Sequence, residues 1–159
     1  MVSVIIAQRA MFCDMVWVSD DLRTSEYFFR QVVHGILFKS PAGVMINGYE
    51  DAALKAPKRA FIAWAPHLQS ARAVHQALAL LRQAGEVITA AIDPVMTEFR
   101  DGEDPGVDVA KWLTHHDCNV LVQQYLSGGK DIGTCILDRS KAVGADLIVM
   151  GANGKPTGP

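Results

Sequence analysis

Short apolar runs alternate with longer amphipathic stretches along this chain. Leu147 to Met150 is a continuous apolar run of strand length, with no polar alternation, which suits a central parallel strand covered on both faces. Asp14–Val18, Val44–Ile46, Phe61–Trp64, Glu86–Ile92 and Asn119–Leu126 read as further strands. Between them lie helical patterns. From Glu26 to Phe38 the residues Phe28, Phe29, Val32, Val33, Ile36 and Leu37 recur at helical spacing, and Gly35 is a cost to that helix. Residues 69–84 carry a stripe of Ala71, Val74, Leu78 and Leu81, with Gly85 as the stop. Asp104-Pro105 predicts a helix start, Asp as cap and Pro in the first turn, running to about His116. Asp131 to Val143 predicts a helix with Ile132, Ile136, Leu137 and Val143 inward, and Gly144 as its stop. Residues 3–11 read as a helix by analogy with 133–143.

Strands alternating with helices argue an α/β fold with an open, mostly parallel, doubly wound sheet of about five strands. Ligands of such sheets bind outside the carboxyl ends of the strands, where the strand order reverses. Those ends are Ala65 and Pro66, Ile92 and Asp93, and the turn Met150, Gly151, Ala152, Asn153, Gly154. Gly151 and Gly154 bracket that turn and permit close backbone approach, as at a phosphate site.

The layout Asp146-Leu147-Ile148-Val149-Met150-Gly151 has an earlier counterpart in Asp14-Met15-Val16-Trp17-Val18-Ser19. The 132 residues between Asp14 and Asp146 exceed any solenoid repeat and approach one domain. The chain therefore reads as a window across two tandem copies of one fold, with the elements in permuted order. Residues 1–47 form the end of a first copy, 48–57 a linker, and 58–159 a second copy lacking its last helix and strand. In the first copy Ser19 replaces the glycine, and Asp20 and Asp21 follow, which would repel phosphate.

Composition narrows the classes. A net charge of -2 gives no electrostatic case for nucleic acid. No apolar run is long enough for a membrane span. Three widely spaced cysteines, Cys13, Cys118 and Cys135, read as reduced thiols in a cytoplasmic protein. Candidate chemistry is sparse. His115 and His116 with Cys118 make a poor metal set, because adjacent helical residues diverge by about 100°. His67 reads as a surface histidine before a phosphate contact, and Cys135 as a buried small hydrophobe before an activated thiol. His34 reads as a packing residue, His75 as exposed, and Trp17, Trp64 and Trp112 as core or interface anchors. The acidic loop Glu98 to Asp104 lacks the ligand spacing of a calcium loop. No nucleophile, base and orienting acid stand at recognisable spacing, so no enzyme is expected.

Phe61-Ile62-Ala63-Trp64 followed by Ser70 to Leu81, Gly106-Val107-Asp108-Val109-Ala110 opening the next helix, and Gly144 to Gly154 together resemble the universal stress protein family. Asp14–Val18, and Val32 to Phe38 leading to Val44-Met45-Ile46, look like the end of a preceding domain of that kind. The resemblance implies an adenine-nucleotide α-hydrolase-like fold, commonly dimeric, tied to stress survival and not to a known reaction. It implies ATP or AMP at Ala65, Pro66, Ile92, Asp93 and Met150 to Gly154. Two departures point to a degenerate site. Nucleotide-binding members carry an acidic residue just after the first strand, where this chain has Ala65-Pro66-His67, and their phosphate loop continues beyond a second glycine and further, whereas this sequence ends at Pro159. The expected function is a non-enzymatic stress-response module, a homodimer in which residues 25–46 complete the sheet within the chain or by exchange with a partner. The alternative is a working ATP or AMP site on the Gly151–Gly154 turn.

Overall fold

Every strand pairing in the computed structural model is parallel, as expected of strands linked through helices. The structure describes residues 1–46, 56–99 and 102–152. The chain divides into two units, Met1–Leu54 and Lys55–Pro159.

The first unit runs α1 (Val2–Ala10), β1 (Met15–Val18), a 3-10 turn (Asp20–Thr24), α2 (Glu26–Lys39) and β2 (Gly43–Ile46). β1 and β2 pair from Met15↔Gly43 to Val18↔Ile46. The buried positions of α1 are small: Ser3, Ala7 and Ala10. Ser3 lies so close to Gly35 of α2 that a Cβ on Gly35 would sit 2.9 Å from the Ser3 Cα. The helix interior glycine thus permits backbone-to-backbone contact between α1 and α2, which offsets its poor helix propensity. Ala10, Val18, Ile36 and Ala42 form the small core. Trp17, expected as an anchor, is about half exposed, at 49%. The expectation that residues 25–46 complete the second unit's sheet within the chain is corrected: β2 is laid against β1. The two strands are joined by a single helix, so the loop to be closed is short and its entropy cost low.

The second unit runs β3 (Arg59–Trp64), α3 (Leu68–Leu81), β4 (Glu86–Ile92), α4 (Val107–His115), β5 (Val120–Tyr125), α5 (Ile132–Ala142) and β6 (Leu147–Met150). Its four strands lie in the order β5-β4-β3-β6. Both faces are covered, in keeping with the apolar runs. Ala60 and Ile62 of β3 and Val87 of β4 meet Val74, Ala77 and Leu81 of α3 and Val109 and Leu113 of α4. Phe61, Ile88 and Ala90 face the other way, onto Ile136 of α5. The unit is a parallel α/β sheet between helices, as expected, but the chain's six described strands fall into a two-stranded and a four-stranded sheet and not one sheet of about five.

Two local expectations are corrected. The helix predicted from Asp104-Pro105 begins at Val107, because Gly106 adopts φ +87° and ψ -7°. With the Val107 N–H donating to the Asp104 carbonyl at 3.2 Å, residues 104–107 close a type II turn instead. In α5, Ile132 and Leu137 are exposed, and Cys135 and Ser140 are buried beside Ile136. The sheet's amino edge is stapled by Asp146, whose carboxylate accepts from the Lys58 N–H at 2.9 Å and the Arg59 N–H at 3.1 Å. α5 ends in a Schellman arrangement at Gly144, the Ala145 N–H donating to Ser140 and the Gly144 N–H to Lys141.

Candidate functional site

β4 and β5 extend the sheet to one side of β3, and β6 returns to its other side. The order therefore reverses between β3 and β6, where a doubly wound sheet opens its crevice. The carboxyl ends of these strands are adjacent: Ala63 pairs with Met150 of β6, and Trp64 with Ala91 of β4. This brings Ala65, Pro66, Ile92, Asp93, Met150, Gly151 and Ala152 to one edge of the sheet. Asn153 and Gly154, the rest of the expected turn, lie outside the described residues.

Several residues at this edge are engaged with the protein itself. Gly151 abuts the first turn of α3. A Cβ on Gly151 would lie 2.6 Å from the Ser70 nitrogen and 2.7 Å from the Gln69 carbonyl carbon. No side chain fits there without moving backbone, so glycine at this position has a packing role independent of any ligand. The same Ser70 N–H is capped by the imidazole of His67, whose Nδ1 accepts from it at 3.4 Å. His67 thus serves as helix cap, a role the sequence reading missed. The signal was its place two residues before the amphipathic stretch predicted over 69–84, but serine, threonine, asparagine and aspartate are the usual caps.

Asp93 closes β4 with φ +47°, a left-handed conformation that aspartate tolerates. Its carboxylate turns toward β5, away from the β3–β6 junction. It accepts from the Ser127 N–H at 2.9 Å and from the Ser127 hydroxyl. Its own N–H donates to the Tyr125 carbonyl at 2.9 Å. The two Ser127 bonds, the hydroxyl first, hold the Asp93 carboxyl below its ordinary range, against a small opposing effect of burial. Ile92 packs with the Phe61 cluster on the α5 face, Pro66 and Met150 are exposed, and Ala65, Gly151 and Ala152 are half-buried. The Ala65 carbonyl accepts from the His67 N–H at 2.8 Å.

The other candidate groups stand apart from this edge. Cys118 and Cys135 are buried and Cys13 is exposed. Burial pushes the Cys118 thiol up. The imidazoles of His75 and His116 flank the Trp112 indole, each with its centroid 4.4 Å from the ring. His34 rests 4.9 Å from the Phe38 ring. Among the described residues no group of three or more His, Cys, Asp or Glu is placed to hold a metal ion. No helix among them is long and apolar enough to cross a membrane.

No protein-family model matches the chain, and no curated protein matches it. Among solved structures, a universal stress protein from Archaeoglobus fulgidus DSM 4304 superposes with a TM-score of 0.66 at 18% sequence identity. The match covers 96% of this chain and 55% of that one, so this chain spans about half the length of its structural neighbour. The likeness carries the fold: this chain has the α/β architecture of a universal stress protein.

Proposed function

We propose that the chain is a universal-stress-protein-like module of the stress response, cytoplasmic and non-enzymatic, with a degenerate adenine-nucleotide site. One observation carries the reading: at the β3–β6 reversal, Gly151 and the Ser70 N–H are engaged in contacts within the protein. Gly151 is packed against the α3 backbone, and the Ser70 N–H already has the His67 imidazole as acceptor. Asp93, the carboxylate nearest that edge on β4, is held by Ser127. After β3 the chain offers Ala65-Pro66-His67, with no acidic side chain for a ribose.

The tandem reading draws support from the internal Asp14 and Asp146 repeat, and from a structural neighbour matched along 96% of this chain but 55% of its own. Homodimerisation draws support from β6, which pairs with β3 on one side and with no other described strand. Open strand edges favour association. In such a dimer residues 25–46 of one copy exchange onto the sheet of the other. Size-exclusion chromatography with light scattering gives a dimer on this reading, and a monomer at all concentrations ends it.

The second reading, a working ATP or AMP site, is favoured by the position of Gly151 at the strand-order reversal. A thermal-shift titration with ATP and AMP, magnesium present, separates the two. A ligand of the folded state at a hundredfold excess over its dissociation constant stabilises by about 2.7 kcal/mol. The degenerate site gives no shift at millimolar nucleotide. A clear, saturable shift replaces the first reading with the second, and steady release of AMP or ADP makes the protein an enzyme.

A further inference from the structure

Leu121 and Leu137 aside, the exposed large apolar side chains described in the second unit lie at one end of its sheet. Leu68 opens α3, Met96 and Phe99 follow β4, Leu126 and Ile132 follow β5, and Met150 ends β6. The strands are all parallel, so these positions share the carboxyl edge. The exposure is large, 91% at Phe99 and 77% at Leu126. Clusters of this kind mark interaction surfaces.

Among the described residues, acidic side chains outnumber basic ones at the same edge. Glu98, Glu103, Asp104 and Asp131 are exposed there, and Asp93 stays ionised through its Ser127 bonds. Of the cations near that end, Lys130 is paired with Asp138 at 3.4 Å and Arg139 lies over the Tyr125 ring, 4.9 Å from its centroid. An apolar, acidic rim repels polyphosphate and complements a cationic, amphipathic partner. We infer that the carboxyl edge of the second unit docks a basic amphipathic helix of a protein partner. The partner's apolar stripe lies on Leu68, Phe99, Leu126 and Met150, and its Lys and Arg residues face the acidic rim. This goes beyond the stress-module reading and fails separately from it, because nucleotide titration does not read peptide binding.

The test uses the full chain and two labelled helical peptides with the same leucine stripe, one with lysines on its polar face and one with glutamates. Fluorescence anisotropy is followed at low and high salt. The Leu/Lys peptide binds in a one-to-one complex that weakens as salt screens the rim, and the Leu/Glu peptide does not bind. F99S/L126S and E98K/E103K each weaken the Leu/Lys complex about tenfold or more. Both double variants alter exposed side chains, and unchanged melting temperatures establish that they fold. Equal binding of the two peptides, wild-type affinity in both variants, or no binding of the Leu/Lys peptide overturns the proposal. So does a dimer in the peptide-free protein that F99S/L126S converts to monomer, since a second copy is then the occupant.

Discussion

Replacing Gly151 by alanine tests whether that glycine is there for packing or for a ligand. The added methyl would lie 2.6 Å from the Ser70 nitrogen, 2.7 Å from the Gln69 carbonyl carbon and 3.0 Å from the Gln69 Cβ. Ordinary contact for such pairs begins near 3.4 Å, so β6 and the first turn of α3 must part by several tenths of an ångström. Neither side can yield locally. The first turn of α3 is held by the His67 cap and by Val74 and Leu81 in the core, and β6 is laddered to β3 from Leu147 to Met150. Overpacking of this kind costs about 1–3 kcal/mol. For a unit of this size each kcal/mol lowers the melting temperature by about 4–8 °C, so Gly151→Ala is expected to melt roughly 4–24 °C lower without any ligand present. Gly133→Ala supplies the contrast. That glycine lies in the first turn of α5, and its Cβ would meet only a side-chain oxygen, the Asp131 Oδ2 that caps the Thr134 N–H, at 3.1 Å. Alanine gains up to about 1 kcal/mol of helix propensity there, so this variant is expected to be neutral or stabilised. Urea denaturation followed by far-ultraviolet circular dichroism gives both values, with the midpoint moving and the slope unchanged. If ligand-free Gly151→Ala unfolds at the wild-type midpoint, the packing role assigned to this glycine is wrong.

Two further substitutions probe the same edge. His67→Ala removes the acceptor of the Ser70 N–H; at 3.4 Å the contact is long, so a loss toward the low end of the capping range, about 0.5–1 kcal/mol, is expected in denaturant unfolding, and His67→Asp should retain or exceed wild-type stability. A His67→Ala variant as stable as wild type removes the imidazole from the cap. Asp93 has a depressed folded-state pKa, so its latch to Ser127 stabilises the protein above the ordinary carboxyl value of 3.8 and is lost as pH falls through the folded value. Ser127→Ala should return the Asp93 titration, read by carboxyl carbon NMR, toward 3.8, and an unmoved titration contradicts the assigned cause.

The order of strands and helices was legible in the sequence because each element here satisfies a local rule. Ile62, Val74, Leu81, Val87 and Leu113, all apolar positions of predicted elements, lie in one core. The helix at Asp104-Pro105 was misplaced because Gly106 sits next to the proline, and the Pro-Gly pair favours a type II turn over continuing the helix. Ile132 and Leu137 were read as inward by spacing, yet one helix covers only part of a sheet face, so the side that meets β3 and β4 selects Cys135, Ile136 and Ser140. At the candidate site, the sequence pointed to the carboxyl strand ends but not to their contacts. That Gly151 packs on Ser70, that His67 is a cap and that Asp93 leans toward Ser127 depend on residues distant in the chain.

By itself the sequence determined the class of fold and the alternation of its elements, because apolar periodicity and helix stops are local properties of the chain. Tertiary structure alone decided which strand lies beside which, setting β2 on β1 and β6 on β3, and which groups at that edge remain free. Strand pairing and side-chain satisfaction are settled by competition among segments far apart in sequence, and that competition is resolved only when the whole sheet is assembled.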